Sequence, residues 1–185
     1  AERFSVFGGV GLVHVHSAMG KGKRREARER AVQFLFQYDL NPPENLEEAL
    51  REFWETQRLA ARSEQLGPTW GQPVELPPPT AEELEIREFA EPLIRGTLAH
   101  RDEIDAKIRQ YALNWDLHRM AVVDRNVMRL AIYEMLYRED IPPVVSINEA
   151  VDIAKKYSTP ESGKFVNGIL DRVKNDLMRP ARTVT

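Results

Sequence analysis

Lys164-Phe165-Val166-Asn167-Gly168-Ile169-Leu170-Asp171, near the C-terminal end of a 185-residue chain, is the stretch on which the reading of the fold turns. Continued as a helix, it brings Phe165, Ile169, Val173 and Leu177 to one side, and Val166 and Leu170 widen that stripe into a surface suited to a core. Lys164, Asn167 and Gly168 fall on other sides. A helix shaped only by stability would not carry an interior glycine, which costs about 1 kcal/mol relative to alanine. Gly168 therefore indicates a close approach to the backbone by another helix or a ligand, and close helix packing explains it best.

The flanking sequence is helical throughout. Thr159-Pro160 supplies an N-cap with proline at the first helical position. Ser146-Ile147-Asn148-Glu149 reads as a capping box that opens a helix with Ile147, Ala150, Val151, Ala154 and Tyr157 inward. Upstream of Pro142-Pro143, a helix from about His118 to Arg138 is apolar around most of its circumference and belongs at the centre of a lobe, with Asp124, Arg125 and Arg129 near its start. A further helical segment carries Ile104, Ile108 and Leu113, with Tyr111 near its end. Before it, Thr80-Ala81-Glu82-Glu83 is a capping box for a long helix in which Gly96 marks a bend or close packing. Breakers from Ser63 to Pro79 predict a long surface loop pinned by Trp70. Asn45 or Glu44 opens a helix with Leu50, Phe53 and Trp54 on its apolar face, and Ala27, Ala31, Val32, Leu35 and Phe36 define one from about Gly22 to Leu40. No strand pattern follows residue 20, so the expected class is all-α. Residues 1–20 are set aside as a leader or appended extension; His14 and His16 within it lack a third metal ligand.

Composition narrows the function. A hydrophobic content of 42% is enough for one good core, and with 30% charged residues no apolar run is long enough to cross a bilayer. The absence of cysteine excludes disulfides and thiolate chemistry and is compatible with a cytoplasmic location; with only four histidines, no metal site is expected. The net charge of −3 hides an asymmetry: Lys21, Lys23, Arg24, Arg25, Arg28 and Arg30 stand against Glu26 and Glu29, a local +4 that leaves −7 elsewhere. Cations at a helix N-terminus oppose the helix dipole. A basic segment on an acidic body points to a localised polyanion contact. No phosphate loop, nucleophile elbow or HExxH spacing occurs, so neither catalysis nor a cofactor is expected.

Three separated blocks carry a resemblance. GKRREARERAVQFLFQYDL, RNVMRLAIYEML and SINEAVDIAKKYSTPESGKFVNGILDRV together closely resemble the NusB transcription antitermination factor family, from about Lys21 to Leu177. The resemblance implies two small packed helical bundles, an N-terminal one over about 21–98 and a C-terminal one over about 99–178, within a domain spanning 21–185. It implies a factor that pairs with NusE, a ribosomal small-subunit protein, binds boxA RNA and joins an antitermination complex on RNA polymerase, notably during ribosomal RNA synthesis. Relatives differ in whether they form a homodimer. The implied RNA contacts are the basic helix at Lys21, Lys23, Arg24, Arg25, Arg28, Gln33 and Phe36, where relatives often carry tyrosine at position 36, then Tyr111, and finally Lys164, Phe165 and Asn167. Cations along phosphates and aromatic rings under splayed bases are what single-stranded RNA requires. The protein partner is assigned to Asp124 and Arg125. The alternatives are a helical adaptor, or a non-catalytic domain of the kind that precedes ribosomal RNA methyltransferases.

Overall fold

The computed structural model describes residues 19–67, 75–113 and 115–178, and these contain helices and no strand. The helices are α1 (Lys21–Leu40), α2 (Leu46–Leu66), α3 (Ala81–Ala99), α4 (Arg101–Tyr111), α5 (Val122–Tyr137), α6 (Pro143–Tyr157) and α7 (Pro160–Leu177), with a 3₁₀ turn at Leu117–Arg119 before α5. Ala1 to Ala18, including His14 and His16, and Trp70 of the expected loop lie outside the described residues.

Helix α5 is the hub. It is buried from Asn126 to Ile132 and packs against α1, α3, α4, α6 and α7. A helix with that many neighbours has no wet face, which is why its sequence is apolar nearly all round. Helix α1 lies along α3 and α6 along α7. Helix α2 is attached through large side chains, with Phe53 edge-on to Phe34 of α1 at 5.4 Å and to Trp54 at 5.2 Å.

Local chemistry fixes most helix starts. The Asn45 side chain accepts from the amides of Glu47 and Glu48, Thr80 and Glu83 form the reciprocal capping box, and Thr159 pairs with Ser162 in the same way ahead of Pro160. The expected box at Ser146 is overturned. Helix α6 begins three residues earlier, at Pro143, whose fixed φ suits the first helical turn. The Ser146 hydroxyl instead donates to buried Glu134 at 2.6 Å, and Glu149 turns to Arg25. Three further expectations shift. Helix α2 runs on to Leu66. The central helix starts at Val122 because a 3₁₀ turn occupies Leu117–Arg119. Leu113, expected on an apolar face, lies beyond α4 and is 80% exposed.

Two glycines exchange roles. A Cβ at Gly96 would overlap the Tyr133 ring, so this is a close packing of α3 on α5. At exposed Gly168 a Cβ would meet nothing within 4 Å, which removes the close-packing explanation for that residue. The tight contact in α7 is at buried Gly163, where an added Cβ would lie 2.7 Å from the Lys155 side chain. Likewise the buried stripe of α7 centres on Val166, Ile169, Leu170 and Val173, while Leu177 is 39% exposed.

A polar joint ties α1, α4 and α5. Asp39, at the end of α1, accepts from Arg101, Arg125 at 2.5 Å, Arg129 at 2.9 Å and Asn126. Arg129 also grips Asp105 with two hydrogen bonds of 2.6 and 2.9 Å. Burial pushes the Asp39 carboxyl up, but the Arg125 hydrogen bond and the charges of Arg129 and Arg125 outweigh it, so the group is held below its usual range.

Candidate nucleic-acid interface

The cations of α1 are the natural starting point; Arg30 pairs with Glu26 at 3.3 Å, and the other five divide into three sets. Lys21 and Arg24 are exposed at the helix start with no carboxylate bound among the described residues; the Arg24 guanidinium lies 5.9 Å from the Phe89 ring centre. Lys23 and Arg25 are half-buried and paired. Lys23 reaches Glu85 of α3 at 2.9 Å, and Arg25 spans Glu149 and Asp152 of α6 at 2.7–2.9 Å. These hydrogen bonds raise the pKa of both groups. Acids on neighbouring helices thus offset part of the unfavourable placement of cations at the α1 N-terminus. Arg28 is the third case. It is 4% exposed and its guanidinium donates to Glu134 Oε1 at 2.7 Å, so its charge is spent in the interior and it is corrected from a surface cation to a core ion pair.

Gln33 and Phe36, two and three turns further along, line a groove of about 760 Å³ between α1, the start of α5 and the end of α6. Val32, Phe36 and Val123 give it an apolar floor; Arg25, Arg30 and Lys156 stand on its rim with Glu26 and Glu29. Tyr157, expected inside, is 50% exposed at the groove edge, because α6 ends there and its last side chain projects past the core.

The α7 residues form a second surface. The Lys164 side chain is 81% exposed and lies 3.5 Å from Glu161. Asn167 is exposed and donates to Asp171 at 3.0 Å. Phe165 is half-buried and meets Trp115 edge-on, with ring centres 5.7 Å apart. Tyr111 stands nearby, its carbonyl accepting from Arg172. Trp115, 58% exposed, is the residue that sequence reasoning missed. Its signal was an indole in a short polar turn between helices, Leu113 to Asp116, where no core requires one.

The assigned protein-partner residues face inward. Asp124 is 6% exposed and accepts from the Ser162 hydroxyl at 2.8 Å, and Arg125 is committed to Asp39. Among the described residues, no group of three His, Asp or Glu side chains could hold a metal ion, and no helix is long and apolar enough to cross a membrane.

Cations beside an apolar groove, and the exposed indole of Trp115 against half-buried Phe165 of α7, give an all-helical scaffold a surface with charge and aromatic faces suited to binding. Residues 25–175 match the NusB family model, and the chain belongs to that family. It is 44% identical over 158 residues to the transcription antitermination protein NusB of Methylacidiphilum infernorum, spanning 85% of this chain and 94% of that one. Among solved structures, NusB of T. maritima superposes with a TM-score of 0.61 at 37% identity, over 83% of this chain and 91% of that chain. A NusB chain crystallised as antitermination factors NusB and NusE in complex with dsRNA gives 0.63 at 25% identity, over 85% and 99%.

Proposed function

We propose that this chain is a cytoplasmic transcription antitermination factor that binds boxA RNA as a single strand, pairs with NusE, and joins the antitermination complex on RNA polymerase. The observation that carries the reading is the conjunction of Lys21 and Arg24, unpaired among the described residues, with a groove holding Gln33 and Phe36. Single strands are bound by cations on the phosphates and rings beneath the bases; the start of α1 offers the cations and the groove further along the same helix offers the ring. The relative crystallised with NusE and double-stranded RNA supports the choice of partners. Arg28 is left out of the contact set because its guanidinium is buried against Glu134. Self-association over the same face would compete with RNA, and light scattering of the free chain with and without RNA measures it.

Labelled boxA RNA is titrated with the chain, with and without NusE, against a scrambled sequence. Preferential binding of boxA is expected; no preference in either condition refutes the reading. Lys21→Ala combined with Arg24→Ala should flatten the slope of log affinity against log salt by about 1.4, at about 0.7 per single-strand contact.

A further inference from the structure

Helix α6 ends in two residues to which no RNA role has been given, Lys156 and Tyr157, and both are held by one acid of α1. The Lys156 ammonium donates to the two oxygens of Glu29 at 3.0 and 2.8 Å, and the Tyr157 hydroxyl donates to Glu29 Oε2 at 2.6 Å. The ammonium also sits 4.9 Å from the centre of the Tyr157 ring. Lysine and ring are exposed while the Glu29 side chain is only 16% exposed, so the carboxylate is the fixed member and the other two lean on it from outside.

We infer that Lys156 and Tyr157 form an RNA subsite across the groove from Gln33 and Phe36, and that Glu29 holds in the free protein the donors that turn to an RNA phosphate on binding. The inference rests on the RNA reading above. Three features argue for a nucleotide here. The volume of about 760 Å³ lies within the range of roughly 300–1,000 Å³ that holds small ligands. The apolar floor of Val32, Phe36 and Val123 suits a base. A carboxylate bound by an ammonium and a phenol reproduces the donors a phosphate would need. The groove is continuous with the proposed RNA face, because Gln33 and Phe36 are part of its wall.

An exchange of this kind has a recognisable salt signature. When Lys156 leaves Glu29 for a phosphate, the ion released from the RNA is matched by an ion taken up at the bared carboxylate, so the contact adds little to the slope. Glu29→Gln removes the second half of that exchange. Fluorescence anisotropy with labelled single-stranded boxA RNA and the full chain, in the presence of NusE, is expected to show Glu29→Gln binding about two- to fivefold tighter, the release of one exposed ion pair. Its slope should steepen by about 0.7. Adding Lys156→Ala should abolish the steepening. Tyr157→Leu should weaken binding about fivefold or more, the loss of one stack, and Tyr157→Phe should bind tighter than Tyr157→Leu because its ring remains. Melting temperatures of all variants establish that they are folded. If wild-type RNA binding responds to Lys21→Ala with Arg24→Ala but is indifferent to these variants, the subsite is refuted and the RNA reading stands. Loss of NusE pairing without loss of RNA affinity would assign the groove to the protein partner and overturn the inference. No RNA binding by the wild type would refute the RNA reading itself.

Discussion

Replacing Arg28 by alanine separates a cation that binds RNA from one that holds the fold. The Arg28 side chain is 5% exposed and that of Glu134 1%, and the two meet at 2.7 Å. The second Glu134 oxygen takes the Ser146 hydroxyl at 2.6 Å, which links α1, α5 and α6 through one carboxylate. Without the guanidinium, Glu134 is a buried anion with a single hydroxyl donor, and breaking a buried pair from one side costs about 3–5 kcal/mol. At about 2–4 °C per kcal/mol for a chain of this size, the melting temperature should fall by about 6–20 °C. Arg28→Met combined with Glu134→Leu should recover most of that loss, because the stranded charge is gone; what persists is about 1 kcal/mol for the Ser146 hydroxyl left without its acceptor. Urea unfolding of the two single variants and the double gives the coupling. RNA titration, at a temperature where all are folded, should leave the salt slope of Arg28→Ala at the wild-type value. A stability loss below about 1 kcal/mol accompanied by a flatter slope would refute this and return Arg28 to the RNA surface.

Asp39 sets an acid limit. Its carboxyl is held below the usual range in the folded state, so its stabilisation is fully present above the unfolded value and is lost as pH falls below about 4. Asp39→Asn should cost about 3–5 kcal/mol at neutral pH and leave stability less dependent on pH in the acid range; parallel pH profiles from urea unfolding would contradict the joint. Gly168→Ala fills open space in an exposed helix interior and should raise stability by about 0.5–1 kcal/mol in the same assay, whereas destabilisation would mean that something packs there. Trp115→Ala should weaken RNA binding by about 1–3 kcal/mol with little change in melting temperature, and unchanged affinity would withdraw the indole from the interface.

The helices were legible because their signals are local. Periodicity and the Asn45, Thr80 and Thr159 caps sit within one turn of the ends they define. The misread positions all depend on distant partners. Ser146 has the sequence of a capping serine, but its hydroxyl is claimed by Glu134, twelve residues away in the chain. Gly168 and Gly163 look alike in the sequence, and only the lysine side chain passing over Gly163 tells them apart. Tyr157 fits an apolar stripe by spacing, yet α6 ends at that residue, beyond the edge of the core. Of the interface, the residue types were visible and their availability was not, since availability is decided by which carboxylates the fold brings within reach.

That division follows from the phase of α1. Arg25, Glu29, Gln33 and Phe36 recur at intervals of four, four and three and share one face, the wall of the groove. Arg24, Arg28, Ala31 and Leu35 share the next face, about 100° round the helix, which turns inward after its first turn. Consecutive bases in the sequence therefore meet different fates, and a count of charges overstates what RNA can use. Six bases each contacting a phosphate would give a salt slope near −4 for a single strand, at about 0.7 each. Among the described residues the ion pairs leave Lys21 and Arg24 as unpaired donors on α1, with Lys164 on α7 only loosely held at 3.5 Å by exposed Glu161. The slope expected of the wild type is then between about −1.4 and −2.1, the contribution of two or three free contacts. Affinity measured across a salt series decides it: a slope near −4 would mean that the pairs to Glu85, Glu149, Glu134 and Glu26 open on binding, and that the carboxylates around α1 do not limit the charge offered to RNA.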